Sequence, residues 1–327
     1  MRRILSRLII LSFMLGLIGA GVFAWGYGQY VKPGPTLAAN TVIIPRGRGV
    51  EGIANVLAQA GIIREVLIFR LGVRISGTGK SLKAGEYIFP AKVSPQEAAA
   101  ILTDGKTVVR RLTIAEGLTT LQVLEQLLAT DGLEGDIETP FKEGELLPET
   151  YHFSFGDRRN DLALRMADSM KRIVVELWRG RAKDLPLKTP DEALVLASIV
   201  EKETAVAAER PRVAGVFINR LRTKMRMQSD PTVVYGLTNG AGPLGRPLSR
   251  ADLKQKTPYN TYQIFGLPPT PIANPGVAAI AAVLNPEQTP DFYFVADGTG
   301  GHVFSRTLKE HNRNVAKWRK FRDSKAQ

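Results

Sequence analysis

From Leu8 to Ala24 the chain carries no charge and a single hydroxyl, Ser12. Lipid offers a peptide backbone no hydrogen-bond partners, so a run this apolar is constrained to be a helix that satisfies itself. Extended through Tyr27, it reaches roughly the twenty residues needed to cross a hydrocarbon core. Arg2, Arg3 and Arg7 precede it, and Trp25, Tyr27 and Tyr30 follow. That order is the one expected of a cytoplasmic basic flank and a far-side aromatic belt. The run is long for the apolar part of a removable leader, and no small-x-small cleavage site followed by a polar start comes after it. The reading is a retained single-pass anchor in the plasma membrane. Residues 1–7 form a cytoplasmic tail, 8–28 the span and 29–40 a linker, and the remainder is extracytoplasmic.

This placement changes the meaning of the net charge of +13. Outside the membrane a basic protein meets anionic lipid headgroups or an acidic polymer, and nucleic acid is not expected as a partner. The C-terminal cluster Lys317, Arg319, Lys320, Arg322 and Lys325 could serve such contacts, or could be a solvated helix face and tail. The chain has no cysteine, so disulfides, thiolate nucleophiles and cysteine-held metals are excluded. His152, His302 and His311 show no ligand spacing, and no metal site is expected. At 327 residues there is room for two modest domains.

Val31 to Asn40, with Pro33, Gly34 and Pro35, reads as the linker. Thr41–Ile44 reads as a strand, and Val50, Ile53, Ala54, Val56 and Leu57 as a helical stripe. A second helix over 66–73, a strand over 83–89 and a helix from the capping box Ser94-Pro-Gln-Glu97 follow. Ile44, Gly47, Ile53 and Leu57 recur about seventy residues later as Ile114, Gly117, Val123 and Leu127. Residues 41–130 thus resemble a small LysM-like module, a unit that binds N-acetylated glycans; a structural spacer would give the same pattern. Beyond it, 131–323 is expected to form a larger domain. Asp161 is read as the cap of a helix running to Trp178, Pro211–Leu221 as an amphipathic helix, and Met225–Pro275 as long loops. Phe292–Ala296 and His302–Arg306 flank a glycine-rich turn and read as a hairpin, with a basic helix over 310–321 at the end. The fold class is α+β.

One stretch carries chemistry. Ala193 to Val200 is nearly all apolar, and Glu201 and Glu203 end it abruptly. Thr189 is placed to cap this helix, Glu192 to reach back to it, and Pro190 suits its first turn. A helix apolar on every side is normally buried. Its last turn then brings a carboxylate out of a packed interior, where desolvation favours the protonated form. A neutral carboxylic acid is what cleavage of a sugar–sugar bond needs, because the departing oxygen must gain a proton. Acidic residues near a helix end are also commonly just solvated. Two positions apart on a helix, the two glutamates point to nearly opposite sides, and periodicity does not choose between them.

Leu196–Glu203, Val213–Leu221, Gln228–Gly236, Tyr259–Tyr262, Gly266–Pro269, Pro271–Gly276 and Tyr293–Val295 occur in that order. The set resembles the MltG (YceG-like) endolytic murein transglycosylases, membrane-anchored bacterial enzymes that cut newly made peptidoglycan strands. The resemblance implies a lytic transglycosylase facing the periplasm, with peptidoglycan as substrate, peptidoglycan synthases as candidate partners and no cofactor. It puts the catalytic acid on Glu201. One departure is Leu147-Pro-Glu-Thr-Tyr151, where the family often has Phe-Pro-Asp-Thr-Tyr. The reaction implied uses the sugar's own C6 hydroxyl as attacker, so one carboxylate suffices. Gln228, Ser229 and Asp230 become candidates for orienting acetamido groups or the acid, and Tyr235, Tyr259 and Tyr262 for stacking on sugar faces. Asn260 and Asn274 become candidates for hydroxyl and carbonyl contacts, against loop-structuring roles. Two alternatives stay open: a muramidase-type hydrolase with Asp230 as second carboxylate, and a non-catalytic wall-binding anchor.

Overall fold

The computed structural model describes residues 2–325 and mixes helices with short two-stranded sheets. The side chains of Arg2, Arg3 and Lys325, part of the two basic flanks, lie outside the described residues. The chain divides into two compact units, 1–110 with 152–157, and 111–151 with 158–327.

In the first unit, helix α1 (Arg2–Val31) carries an apolar stretch over Ile4–Val31, exposed along nearly all of its length and long enough to cross a membrane. The segment after it is held down: Gly34 N–H donates to the carbonyls of Lys92 and Val93, both at 3.1 Å. A Cβ on Gly34 would lie 2.3 Å from the Val93 carbonyl oxygen, so only glycine fits there. Strand β1 (Asn40–Ile44) is followed by α2 (Val50–Gln59), α3 (Val66–Ile75), β2 (Gly85–Phe89) and α4 (Pro95–Asp104). The strands pair antiparallel, Asn40 opposite Phe89 and Ile44 opposite Gly85. Alternation along β1 turns Val42 and Ile44 inward, onto a core with Leu57, Phe69, Val73, Tyr87, Phe89 and Leu102. The Ser94–Glu97 capping box opens α4, as read from the sequence.

Strand β3 (Val109–Thr113) pairs with β5 (Thr150–Ser154), and the division between units falls within both. Between them lie α5 (Thr120–Ala129), opened by a capping box of Thr119 and Gln122, and the short β4 (Leu133–Glu134), which pairs with β6 (Asp157–Arg158). Ile114, Gly117, Val123 and Leu127 thus belong to the second unit, so the 41–130 grouping suggested by the repeat does not coincide with this division.

The second unit continues with α6 (Arg159–Arg179), α7 (Pro190–Glu203), α8 (Arg210–Arg222), α9 (Asp230–Thr238), α10 (Val277–Leu284), the hairpin of β7 (Tyr293–Ala296) and β8 (His302–Ser305), and α11 (Leu308–Lys325). Its core forms around α7, whose residues Ala193 and Val195–Val200 are all buried, against Val213, Ala214, Phe217 and Ile218 of α8 and Ile280, Val283 and Leu284 of α10. Each fully buried Leu, Ile or Val contributes roughly 1.5–3 kcal/mol. Close approach matters too: a Cβ on Gly215 would lie 2.4 Å from the Glu287 carbonyl oxygen.

Three local readings need correction. Asp161 does not cap α6, because the helix begins two residues earlier and Asp161 sits in its first turn. Thr189 Oγ1 accepts from Glu192 N–H at 3.2 Å, as expected, but the Glu192 carboxylate turns to Lys188 N–H at 2.6 Å instead of back to Thr189. Within the stretch read as long loops, Pro231 at a helix start with Asp230 beside it nucleates α9.

Candidate active site

The two glutamates at the end of α7 point into different surroundings and, among the described residues, share no hydrogen-bond partner. Glu201 has a side chain only 5% exposed. One carboxylate oxygen accepts from Gly276 N–H at 2.9 Å, and the other faces Arg210 Nη2 at 3.4 Å. Arg210, at the start of α8, also contacts the Glu116 carboxylate at 3.2 Å. A Cβ on Gly276 would meet Glu116 Oε1 at 1.8 Å, so the missing side chain leaves the space that Glu116 occupies. Burial raises the Glu201 pKa; the Gly276 amide opposes this, the Glu116 charge adds to it, and Arg210 again opposes. The outcome is an acid poised between a second carboxylate and one guanidinium.

Glu203 turns toward α9. It accepts a short hydrogen bond from Ser229 Oγ, and Asp230 accepts from Tyr262 Oη at 2.6 Å. Burial lifts the Glu203 pKa to about 7; the Ser229 bond opposes, the Asp230 charge adds, and Arg220 and His302 oppose. Arg220 is itself buried and donates to the carbonyls of Phe292 and Met227.

A cleft of about 350 Å³ opens beside this helix end. Lys202, Asp230, Pro231, Tyr235, Gln122 and Ile272 contribute to its lining, and neither glutamate does. Lys202 Nζ donates to the Gly117 carbonyl at 3.1 Å, across from Glu201 on the same helical turn. Of the residues read from the sequence, Asp230 and Tyr235 thus reach the cleft. Tyr235 packs its ring 4.9 Å from that of Tyr259 and donates to Glu143 at 3.2 Å, while Tyr259 pairs its hydroxyl with Thr270 at 2.7 Å. Gln228 is exposed, with φ at +50°, and its amide donates to the Thr261 carbonyl. Ser229 is buried, its hydroxyl committed to Glu203.

Two candidates are placed where they serve the backbone. Asn274 is fully buried: its Oδ1 accepts from Leu146 N–H at 2.9 Å, and its Nδ2 donates to the Leu118 carbonyl at 3.1 Å and Thr120 Oγ1 at 3.2 Å. Asn260 Nδ2 faces the carbonyls of Asp252, Leu253 and Gln255, and its Oδ1 accepts from Tyr262 N–H. Their side-chain polar atoms are engaged within the protein and at most 1% of either residue is exposed, the arrangement of loop-structuring asparagines.

Sequence reasoning missed Glu116, Arg210 and Glu143. The glycine after Glu116 did stand out in the repeat, and its φ of +78° marks the turn that carries Glu116. Nothing in the sequence links Glu116 to Arg210 and Glu201, or Glu143 to Thr120 and Tyr235, pairs that meet only on folding.

Comparison with known proteins finds relatives over most of the chain. The YceG-like family matches residues 42–317. The endolytic murein transglycosylase of Bacillus subtilis is 30% identical over 92% of this chain and 91% of its own length. That of Streptococcus pneumoniae is 31% identical over 94% of this chain, which spans 64% of that longer protein. A crystal structure of a YceG-like protein from Listeria monocytogenes, 30% identical, superposes with a TM-score of 0.52 over 85% of this chain and 99% of its own. Matched from its first strand into its last helix, the chain belongs to the YceG-like family.

Proposed function

We propose that this protein is a membrane-anchored endolytic lytic transglycosylase that cuts peptidoglycan strands, with Glu201 as its acid and then its base. The observation that carries the reading is Glu201 itself, nine-tenths withdrawn from water at the end of a buried helix, with burial holding its pKa up. The names of the relatives in Bacillus subtilis and Streptococcus pneumoniae support the reaction class. The apolar α1 supports the anchor, and the arginines ahead of it support a cytoplasmic N-terminus. The strand–helix–helix–strand order of the first unit supports glycan contact by a LysM-like module.

In this mechanism neutral Glu201 gives its proton to the bridging oxygen between N-acetylmuramic acid and N-acetylglucosamine. The bond from the anomeric carbon to that oxygen breaks, and positive charge develops on the sugar. The C6 hydroxyl oxygen of the same muramic residue attacks the anomeric carbon, and its proton passes to the Glu201 carboxylate. The product is a 1,6-anhydro end, no water is consumed, and the acid is regenerated. Gly276 N–H fixes one carboxyl oxygen, which restricts the side chain to one orientation.

A second reading has its own observation: Glu203, with a pKa near 7, sits beside Asp230, which lines the cleft. There Glu203 would be the acid, and Asp230 a second carboxylate for a hydrolytic route. Glu201→Gln and Glu203→Gln, each assayed on uncrosslinked glycan strands with mass analysis of the ends, separate these readings. The primary one expects loss of cleavage by at least about a hundredfold in Glu201→Gln alone, and products lacking the added water. Full activity in Glu201→Gln, or hydrated ends, would reject it; binding without any product would leave only the wall-binding anchor.

A further inference from the structure

Helix α3 is apolar on both sides. Phe69 and Val73 face the core of the first unit and buried Ile68 lines the groove against α1, yet Leu67, Leu71 and Ile75 stand 60%, 45% and 68% exposed. Spaced four apart, these three form one continuous stripe. A soluble helix keeps its outward face polar, and an all-round apolar helix is a mark of burial in protein or lipid. Arg70 and Arg74 are exposed along one edge of the stripe, Arg70 within 3.2 Å of the half-exposed Glu51 carboxylate, and Arg64 and Glu65 lie just ahead of the helix.

The stripe runs into α1. Tyr30 is buried against α3, and a Cβ on Gly72 would lie 2.2 Å from its ring, so the two helices approach as closely as a glycine allows. Alongside this contact lies an apolar groove of about 380 Å³, walled by Val22, Phe23 and Tyr27 on one side and Leu71 and Ile75 on the other. The Ile4–Val31 stretch, at 1.5 Å per residue, is about 42 Å long against a hydrocarbon core of about 30 Å. Its last turns therefore reach the interface or tilt along it, and α3 is packed beside those turns.

We infer that α3 is an interfacial membrane helix. Leu67, Leu71 and Ile75 enter the acyl boundary of the leaflet from which the chain emerges, lipid chains fill the groove against α1, and Arg70 and Arg74 meet anionic headgroups. The occupant is bilayer lipid, because the groove's walls are part of the stretch that enters the bilayer and the exposed cations border its apolar face. An interfacial helix binds through this pairing of buried apolar area and basic edge. The first unit is then laid on the membrane instead of swinging on a tether, which agrees with the bonds that hold the segment around Gly34 and Lys92. The inference rests on α1 being a bilayer span.

The absence of native cysteine makes single labels unique. The full chain, reconstituted in phosphatidylglycerol–phosphatidylethanolamine vesicles, is spin-labelled in turn at Leu71→Cys, Ile75→Cys, Leu15→Cys and Lys106→Cys. Collision with oxygen reports lipid, and collision with a water-soluble nickel chelate reports solvent. Labels at 71 and 75 are expected to be oxygen-accessible and shielded from nickel, as at 15, and opposite to 106. Adding Arg70→Glu with Arg74→Glu is expected to raise nickel collision at 71 and 75 several-fold. If 71 and 75 behave like 106 while 15 stays in lipid, α3 is not interfacial and the span stands. If 15 itself collides with nickel, the span and the inference both fall. Dipolar broadening at 71, or shielding from both reagents, would mean that a second copy or another protein covers the groove, and would overturn lipid as its occupant.

Discussion

At the scale of residues, the charge balance around Glu201 sets how it titrates. Arg210 lies between Glu116 and Glu201, and Glu116 raises the Glu201 pKa by repulsion. Neutralising Glu116 leaves Arg210 to act on Glu201 alone and favours the carboxylate. A general acid must be protonated, so the alkaline limb of the kcat/KM profile in Glu116→Gln is expected to move to lower pH; an unchanged limb would show that this carboxylate has no hold on the acid. Glu203 makes a different prediction, about stability. Its pKa is about 7 when folded against an ordinary 4.5, so the folded state holds the proton more tightly. That contribution is intact below about pH 4.5, declines as pH rises, and above 7 amounts to a destabilisation of roughly 3 kcal/mol. Glu203→Gln should flatten this slope and be the more stable protein at pH 8, as read by urea titration at a series of pH values. Equal slopes in the two proteins would mean that Glu203 is not desolvated.

At the scale of elements, α7 is held by more than its apolar surface. Ser198 is fully buried; its hydroxyl donates to the Val195 carbonyl at 2.7 Å and accepts from Ile272 N–H at 3.0 Å. That one bond ties the segment leading to Asn274 and Gly276 onto the helix that carries Glu201. Ser198→Ala leaves a buried amide without a partner, which costs about 1–3 kcal/mol in denaturant titration. Activity should fall further than stability, because Gly276 N–H sits four residues along the same segment. The start of α7 could be read directly: Thr189, Pro190 and Glu192 are local signals, and the cap forms with only the Glu192 partner exchanged. The start of α9 was less legible, because its proline and glycine content resembles that of the loops around it.

At the scale of the whole molecule, two cores are built from separate parts of the chain. Phe69 belongs to one and Phe217 to the other, both fully buried. Each changed to alanine should lose about 3–5 kcal/mol. Hydrogen exchange is expected to speed up in the unit that holds the change and not in the other; a uniform increase would mean that the two units unfold as one. Local signals in the chain, apolar runs, helical and strand periodicity, capping boxes and a glycine-rich turn, were enough for the apolar span, the strands and helices of the first unit, α7 and the terminal hairpin, because each depends on neighbours within a few turns of chain. Folding alone decided which glutamate meets Glu116 and Arg210 and which meets Ser229, that Asn260 and Asn274 serve the backbone, and that α3 leaves an apolar stripe beside α1. Most of those outcomes join residues far apart in the chain, Glu116 with Arg210, Ser229 with Glu203 and Asn274 with Leu118, and local chain chemistry carries no record of such pairings; Asn260, whose partners lie within eight positions, is settled by the path its own loop takes.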